Sequence, residues 1–207
     1  MNRRHLFFLI VNVAMLVGFG TVFVMRQNYE FIIYVGVIIA ALALILASRS
    51  RVDYTLGTIV GLTGWAGLHL AGGSVMVNGE VLYEFMLVRL FDDFPIWRYD
   101  QLVHMWGFGS ATLVMYCLLH RTLVESQPRR IALSVVLFMA GLGVGALNEV
   151  VEFVVTIIVP ESGVGGYLNT SLDLCANLVG TVLGLCYIQW RYLSRTEPGA
   201  GRMSSNR

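Results

Sequence analysis

Apolar residues run along this chain in six long stretches, near Leu6 to Met25, Phe31 to Ala47, Tyr54 to Val77, Gln101 to His120, Ile131 to Val159 and Ser171 to Trp190. Each is long enough, or nearly so, to cross a hydrocarbon core of about 30 Å as a helix. The pattern predicts an all-α, polytopic membrane helical bundle of about six transmembrane helices. The connections Ser48 to Asp53 and Arg121 to Arg130 are too short for a soluble domain, so residues 1–193 read as a single transmembrane domain. Residues 194–207, rich in Gly, Ser and Arg with Pro198, read as a disordered basic cytoplasmic tail near anionic lipid.

The longest interruption, Asn78 to Tyr99, mixes large apolar side chains with Glu80, Glu84, Arg89, Asp92 and Asp93. It fits an interfacial helix between spans three and four, with Trp97 and Tyr99 as belt anchors, or equally a loop packed on the bundle. Within the spans, Gly57-x3-Gly61, Gly141-x3-Gly145 and Gly180-x3-Gly184 offer small-x3-small surfaces and predict close helix packing.

Composition agrees with the pattern. The chain is 57% hydrophobic and 13% charged, against about 25% charged in soluble domains. Its mean hydropathy is +0.71. All 14 basic residues are arginines, and eleven of them fall on the side that holds both termini; only Arg26, Arg89 and Arg98 fall on the other. The positive-inside rule then predicts a multi-pass inner-membrane protein, N-in and C-in. Glu30, Glu80, Glu84, Asp92, Asp93 and Glu161 lean to the outer side. The first apolar run is longer than a signal-peptide core and no convincing cleavage site follows it, which predicts a retained helix. Cys117, Cys175 and Cys186 lie within spans without ligand spacing and read as packing residues. A net charge of +1 gives no reason to invoke nucleic acid.

Three polar patterns break the apolar helices: Asp100-x3-His104, Asn148-Glu149-x2-Glu152 and Asp173-x3-Asn177. An ionisable group inside a span costs about 2.5 to 3.5 kcal/mol on the insertion scale, so such groups face a protein interior, pair, or work. At a rise of about 1.5 Å per residue all three patterns, and His69 in the third span, come out in the outer half of the bundle. Residues three or four apart share a helix face, so each pattern projects its polar groups one way. Asp100, His104, Glu149, Glu152 and Asp173 are therefore the candidate catalytic groups, with Asn148, Asn177 and His69 as candidate binding residues. Asp100, His104, Glu149 and Asp173 form a candidate set for a divalent metal, since imidazole with carboxylates suits Zn, Mn or Fe. The same groups suit a proton-sharing acid and base pair. Taken singly, Asp100 and Asp173 are explained as N-cap or first-turn residues, and His104 or His69 as hydrogen-bonded interface histidines. Glu149 with Glu152 is harder to dismiss, because two acids on one face of an apolar helix repel unless protonated, paired or bridged. The fifth stretch is longer than a membrane requires, and its apolar neighbours favour burial of both acids.

These motifs carry a resemblance. Tyr99-Asp100-x3-His104, Glu149-x2-Glu152 and Asp173-x3-Asn177-x2-Gly180, from about Arg98 to Gly184, resemble the VanZ-like membrane proteins. The chain's length and N-terminal spans look more like the related YjdF-type, DUF2238-like group, from which Gln101, Met105, Phe153 and Asn177 depart. The resemblance implies an envelope-facing role involving membrane lipids or lipid-linked cell-wall intermediates. Three functions follow from the polar groups. One is an outer-leaflet site that binds or processes a lipid or lipid-linked envelope component. Another is a proton-coupled transporter, which the lack of a charged inward relay disfavours. A third is a noncatalytic scaffold whose network fixes helix register. No nucleophile or phosphate-binding loop accompanies the acids, so enzyme status and oligomeric state stay open.

Overall fold

A computed structural model describes residues 3–89, 97–126, 130–159 and 162–193. Six long helices account for most of them: α1 (Arg3–Met25), α2 (Tyr29–Ser48), α3 (Leu56–Ser74), α4 (Tyr99–Ser126), α5 (Arg130–Ile158) and α6 (Tyr167–Ile188), the last running into a π turn at Gln189–Leu193. Five are long and apolar enough to cross a membrane; α3 falls short of that composition, diluted by six glycines, His69 and several hydroxyls. The architecture is the all-α polytopic bundle that the hydrophobic pattern predicts. Residues 90–96, 127–129 and 160–161 and the 194–207 tail lie outside the described residues, and with them Asp92, Asp93, Arg129 and Glu161.

Local chemistry sets the helix starts. The Asn28 side chain accepts from Phe31 N at 3.2 Å and caps α2, and Thr55 accepts from Thr58 N at 3.2 Å and caps α3. Two boundaries differ from the sequence reading. Helix α6 begins at Tyr167 rather than Ser171, which places Asp173 nearly two turns inside the helix, where it cannot act as a cap. The described part of Asn78 to Tyr99 follows the packed-loop alternative and not the interfacial helix. Strands β1 (Met76–Val77) and β2 (Glu80–Val81) pair as an antiparallel hairpin, followed by one 3-10 turn at Leu82–Glu84. The physical reason is the Asn78-Gly79 pair: both residues adopt positive φ, 54° and 91°, as a two-residue hairpin turn requires. The segment then crosses back, with Tyr99 N donating to Phe85 O at 2.9 Å.

Helix α4 is the hub, flanked by α3, α5 and α6, while α1 packs on α3 and α2 lies at the periphery. Lipid tails are as apolar as leucine, so close van der Waals contact and cross-helix hydrogen bonds, rather than water exclusion, hold such helices together. The glycine patterns do that work as predicted. Gly61 lies against Ser110, Gly145 against Asn177, and α6 meets α4 through Gly180 on Met105 O and Gly184 on Gly109 O. Between α3 and α4 the fit is reciprocal: Trp106 covers Gly64 and Trp65 covers Gly107, with Trp106 Nε1 donating to Gly61 O at 2.9 Å. One apolar core, around Leu113, Tyr116, Leu133, Leu137 and Ile188, fills the end of α4, α5 and α6 remote from Asp100. A second, around Phe23, Phe31, Tyr34, Leu70 and Val155, joins α1, α2, α3 and α5 beside the polar residues. Cys117 is buried, with Thr58 Oγ1 at 3.3 Å, and none of the three cysteines is in a disulfide.

Candidate functional site

The three polar patterns meet at one end of the bundle. Asp100 stands in the first turn of α4 with His104 one turn further in, and both are at least four-fifths buried. Glu149 and Glu152 approach from α5, and Asp173 and Asn177 from α6. His104 is the centre. Its Nε2 lies 3.4 Å from Asp100 Oδ1 and 3.4 Å from Glu152 Oε1, and its Nδ1 lies 3.6 Å from Glu149 Oε1. All three pairings share this one imidazole.

Amides hold the charged groups in place. Nδ1 of His104 donates to Asn177 Oδ1 at 3.0 Å, and Asn177 Nδ2 donates to Glu149 Oε1 at 3.1 Å. Since an amide oxygen only accepts, this bond fixes the proton on Nδ1 and turns the Nε2 side toward Asp100 and Glu152. Gln101 Nε2 donates to Asp173 Oδ1 at 3.0 Å while its Oε1 accepts from Arg98 N at 2.7 Å. Asn169 Nδ2 reaches both Asp173 Oδ2 at 2.6 Å and Asp100 Oδ2 at 3.3 Å, and Asn148 Nδ2 donates to Glu152 Oε1 at 2.7 Å. One oxygen is left over: Glu149 Oε2 is buried without a hydrogen-bond partner.

The expected site residues are thus mostly gathered, and two details are corrected. The burial expected for Glu149 and Glu152 is found, with side chains 8% and 16% exposed, but Val150, Phe153 and Val154 do not enclose them; those side chains are exposed on the outside of the bundle. His69 does not join the His104 cluster. It sits among the rings of Phe31, Tyr34, Trp65 and Tyr83, and its Nδ1 is hydrogen-bonded to the Tyr83 hydroxyl. Burial pushes the Tyr83 phenol well above its ordinary range, so it stays protonated and donates to the imidazole.

Gln101 and Asn169 were not legible as site residues, although a signal existed for one. Asn169-x3-Asp173-x3-Asn177 is a polar stripe on one face of α6, extending the recognised pattern by one turn toward the N-terminus. Gln101 had no such stripe, only the i,i+3 spacing to His104. Replacing Gln101 by Leu is expected to cost about 2 to 6 kcal/mol, because it orphans both Arg98 N and the buried Asp173 Oδ1 at about 1 to 3 kcal/mol each. Denaturant or thermal unfolding in a fixed detergent, with the outward-facing Leu178→Ala as reference, measures it.

A cavity of about 620 Å³ opens beside the cluster, with Asp100, Glu152 and Asn169 on its inner wall. The α1–α2 turn, the hairpin region and the segment before α6 enclose the rest, tied together where Gly163 N donates to Glu30 Oε2 at 2.6 Å. His69, Tyr34 and Tyr83 also line it, so the second histidine shares the cavity though not the cluster.

The donor geometry suits a metal ion. Two overlapping groups, Asp100, His104 and Asp173, and His104, Glu149 and Glu152, each bring their candidate ligand atoms within 4.8 Å of one another. Two donors about 2.1 Å from one tetrahedral ion stand about 3.4 Å apart, which is the separation of His104 Nε2 from Asp100 and from Glu152. A charge-assisted N–H···O hydrogen bond is shorter, about 2.7 to 2.9 Å.

The family model described as "Predicted membrane protein (DUF2238)" matches residues 4–195. No curated protein and no solved structure matches the chain.

Proposed function

The chain belongs to the DUF2238 family of predicted membrane proteins, and from that premise we propose that the His104 cluster is an outer-leaflet, cation-dependent site that binds the headgroup of a membrane lipid or lipid-linked envelope component. The observation that carries this reading is the two-sided disposition of His104: an amide orients the ring through Nδ1, and Nε2 faces two carboxylates at the spacing of metal ligands. A ligating histidine is commonly oriented by a hydrogen bond through its other nitrogen. The candidate ligands are His104, Asp100 and Glu152, with Asp173 and Glu149 beside them.

Charge weighs against the scaffold alternative. Cross-helix hydrogen bonds in membrane proteins average about 0.6 kcal/mol, and a scaffold must hold four carboxylates with the bonds that Gln101, Asn169, His104 and Asn177 make between helices. A bound cation lowers that demand, because it neutralises several carboxylates at once. The transporter alternative gains nothing from the far end of α4, α5 and α6, where the packing is apolar.

The outer-leaflet assignment draws on the arginine bias of the sequence, and the headgroup assignment on the cavity, which lies at the ends of the helices rather than midway along them. The VanZ-like order of the motifs supports an envelope role on the same footing. In cells whose own copy is replaced by Asp100→Asn or Glu152→Gln, membrane lipid composition by mass spectrometry is expected to change as in a deletion strain, with the variant present in the membrane at normal amount. Variants that restore the wild-type lipid profile would remove the lipid reading.

A further inference from the structure

Two arginines that the cluster does not use face the same cavity. Arg26 closes α1 and Arg98 precedes α4, and both line the space whose inner wall is Asp100 and Glu152. Neither forms an ion pair with a carboxylate among the described residues, although Glu30 and Glu84 line the cavity with them. Glu30 is occupied by Gly163 N. Arg26 is anchored by a 2.6 Å bond from Nη1 to Ser74 O, which spends one donor on the end of α3 and leaves the rest of its planar fork. Arg98 Nε is buried and has no acceptor.

A buried guanidinium N–H without an acceptor is costly unless something supplies one. The charge and shape of arginine match a phosphate, which it grips through two parallel N–H···O bonds. The carboxylates across the cavity would repel such an anion. With a divalent cation held between His104, Asp100 and Glu152 that wall changes sign, since phosphate oxygens are good ligands for such ions. Phe31, Val159 and Val164 add an apolar side, and the cavity lies where the helices end, at the level of lipid headgroups.

We propose that Arg26 and Arg98 form an anion grip for the phosphate of a lipid headgroup, which enters this cavity and meets the cation cluster at the edge formed by Asp100 and Glu152. The proposal rests on the reading of the His104 cluster as a cation site for a lipid headgroup, and it names the chemistry that the headgroup must carry.

The test uses the full-length protein in neutral detergent with manganese present and with chelator. Three probes are titrated by calorimetry: short-chain dihexanoyl phosphatidic acid, inorganic phosphate and uncharged dihexanoylglycerol. Wild type is expected to bind the phosphatidic acid, and Arg98→Ala and Arg26→Ala each to weaken it by about tenfold to a hundredfold, as loss of charge-assisted bonds implies. Arg98→Lys should recover part of the loss, and an unchanged elution profile and unfolding midpoint show that the variants fold. Equal affinity for dihexanoylglycerol, or arginine variants that bind phosphatidic acid as wild type does, would overturn the grip even if manganese binds. Inorganic phosphate binding as tightly as the lipid would overturn the lipid source and make the ligand a soluble phosphate. If manganese fails to bind while phosphatidic acid still depends on the arginines, the cation reading and the contact of the phosphate with a cation fall together, and only the arginine grip stands.

Discussion

Full-length protein purified without chelator is expected to carry a near-stoichiometric divalent metal, and His104→Ala is expected to lose it, with affinity lowered by at least about a hundredfold. The expectation follows from the position of His104, whose Nε2 faces Asp100 and Glu152 at the separation of two ligands on one ion. Asn177→Leu is the sharper companion. It leaves Nε2 of His104 untouched, yet it removes the acceptor that orients the ring and the donor to Glu149 Oε1, and loss of such a partner commonly lowers metal affinity by about 10- to 100-fold. Elemental analysis of wild type and His104→Ala prepared in parallel, followed by manganese and zinc titrations of unfolding, gives the answer. Wild type free of metal, with an unfolding temperature that neither ion raises, would leave a proton-sharing network of acids and imidazole in place of a metal centre.

The second large effect concerns packing rather than chemistry. Gly180→Val should abolish the fold or lower its stability by more than about 3 kcal/mol, beyond the usual range for an overpacked core. A Cβ built on Gly180 falls 2.1 Å from Met105 O and 2.9 Å from Met105 C. Both are backbone atoms, so no rotamer change relieves the clash and α4 must move away from α6. Gln101 to Asp173 and His104 to Asn177 both bridge that interface and would break with it. Gly143 provides the opposite case in the neighbouring helix: no atom lies within 4 Å of its added Cβ, and Gly143→Ala should be neutral or gain about 0.5 to 1 kcal/mol from helix propensity. Size-exclusion profiles and unfolding curves of the two variants compare them directly. A well-folded Gly180→Val would mean that α4 and α6 do not approach so closely.

The hydrophobic pattern made the helices legible because a span needs a continuous apolar run, and such runs leave little ambiguity about type. Helix α3 shows the limit: its glycines lower its mean character, yet its length and its Trp and Gly surfaces place it within the bundle. The convergence of Asp100, His104, Glu149, Glu152 and Asp173 was legible for a related reason, since buried charges must find one another. The amide partners were not. Gln101 and Asn169 carry no charge and cost less to place, so nothing in their single positions distinguishes them from ordinary helix residues. The hairpin at Asn78-Gly79 was obscured by the amphipathic composition around it, where side-chain character left an interfacial helix and a packed loop equally open and backbone geometry at two residues decided for the loop. His69 was placed at the right depth but in the wrong company, because a distance along one helix says nothing about which neighbour its face meets.

The distribution of partners among the helices also bears on how the protein is made. Asp100, Gln101, His104 and Glu149 belong to α4 and α5, but the groups that bond them, Asn169, Asp173 and Asn177, all belong to α6. During synthesis α4 and α5 emerge first, with His104 able to meet Asp100, Glu149 and Glu152 but with Gln101 and the amide contacts to Asp100 and Glu149 still unmatched. Arrival of α6 supplies three side chains from one face and completes the set in a single step. Helix α6 is thus the keystone in order of arrival: a chain that stopped before it would keep the imidazole contacts of α4 and α5 but lack every amide that α6 brings to them.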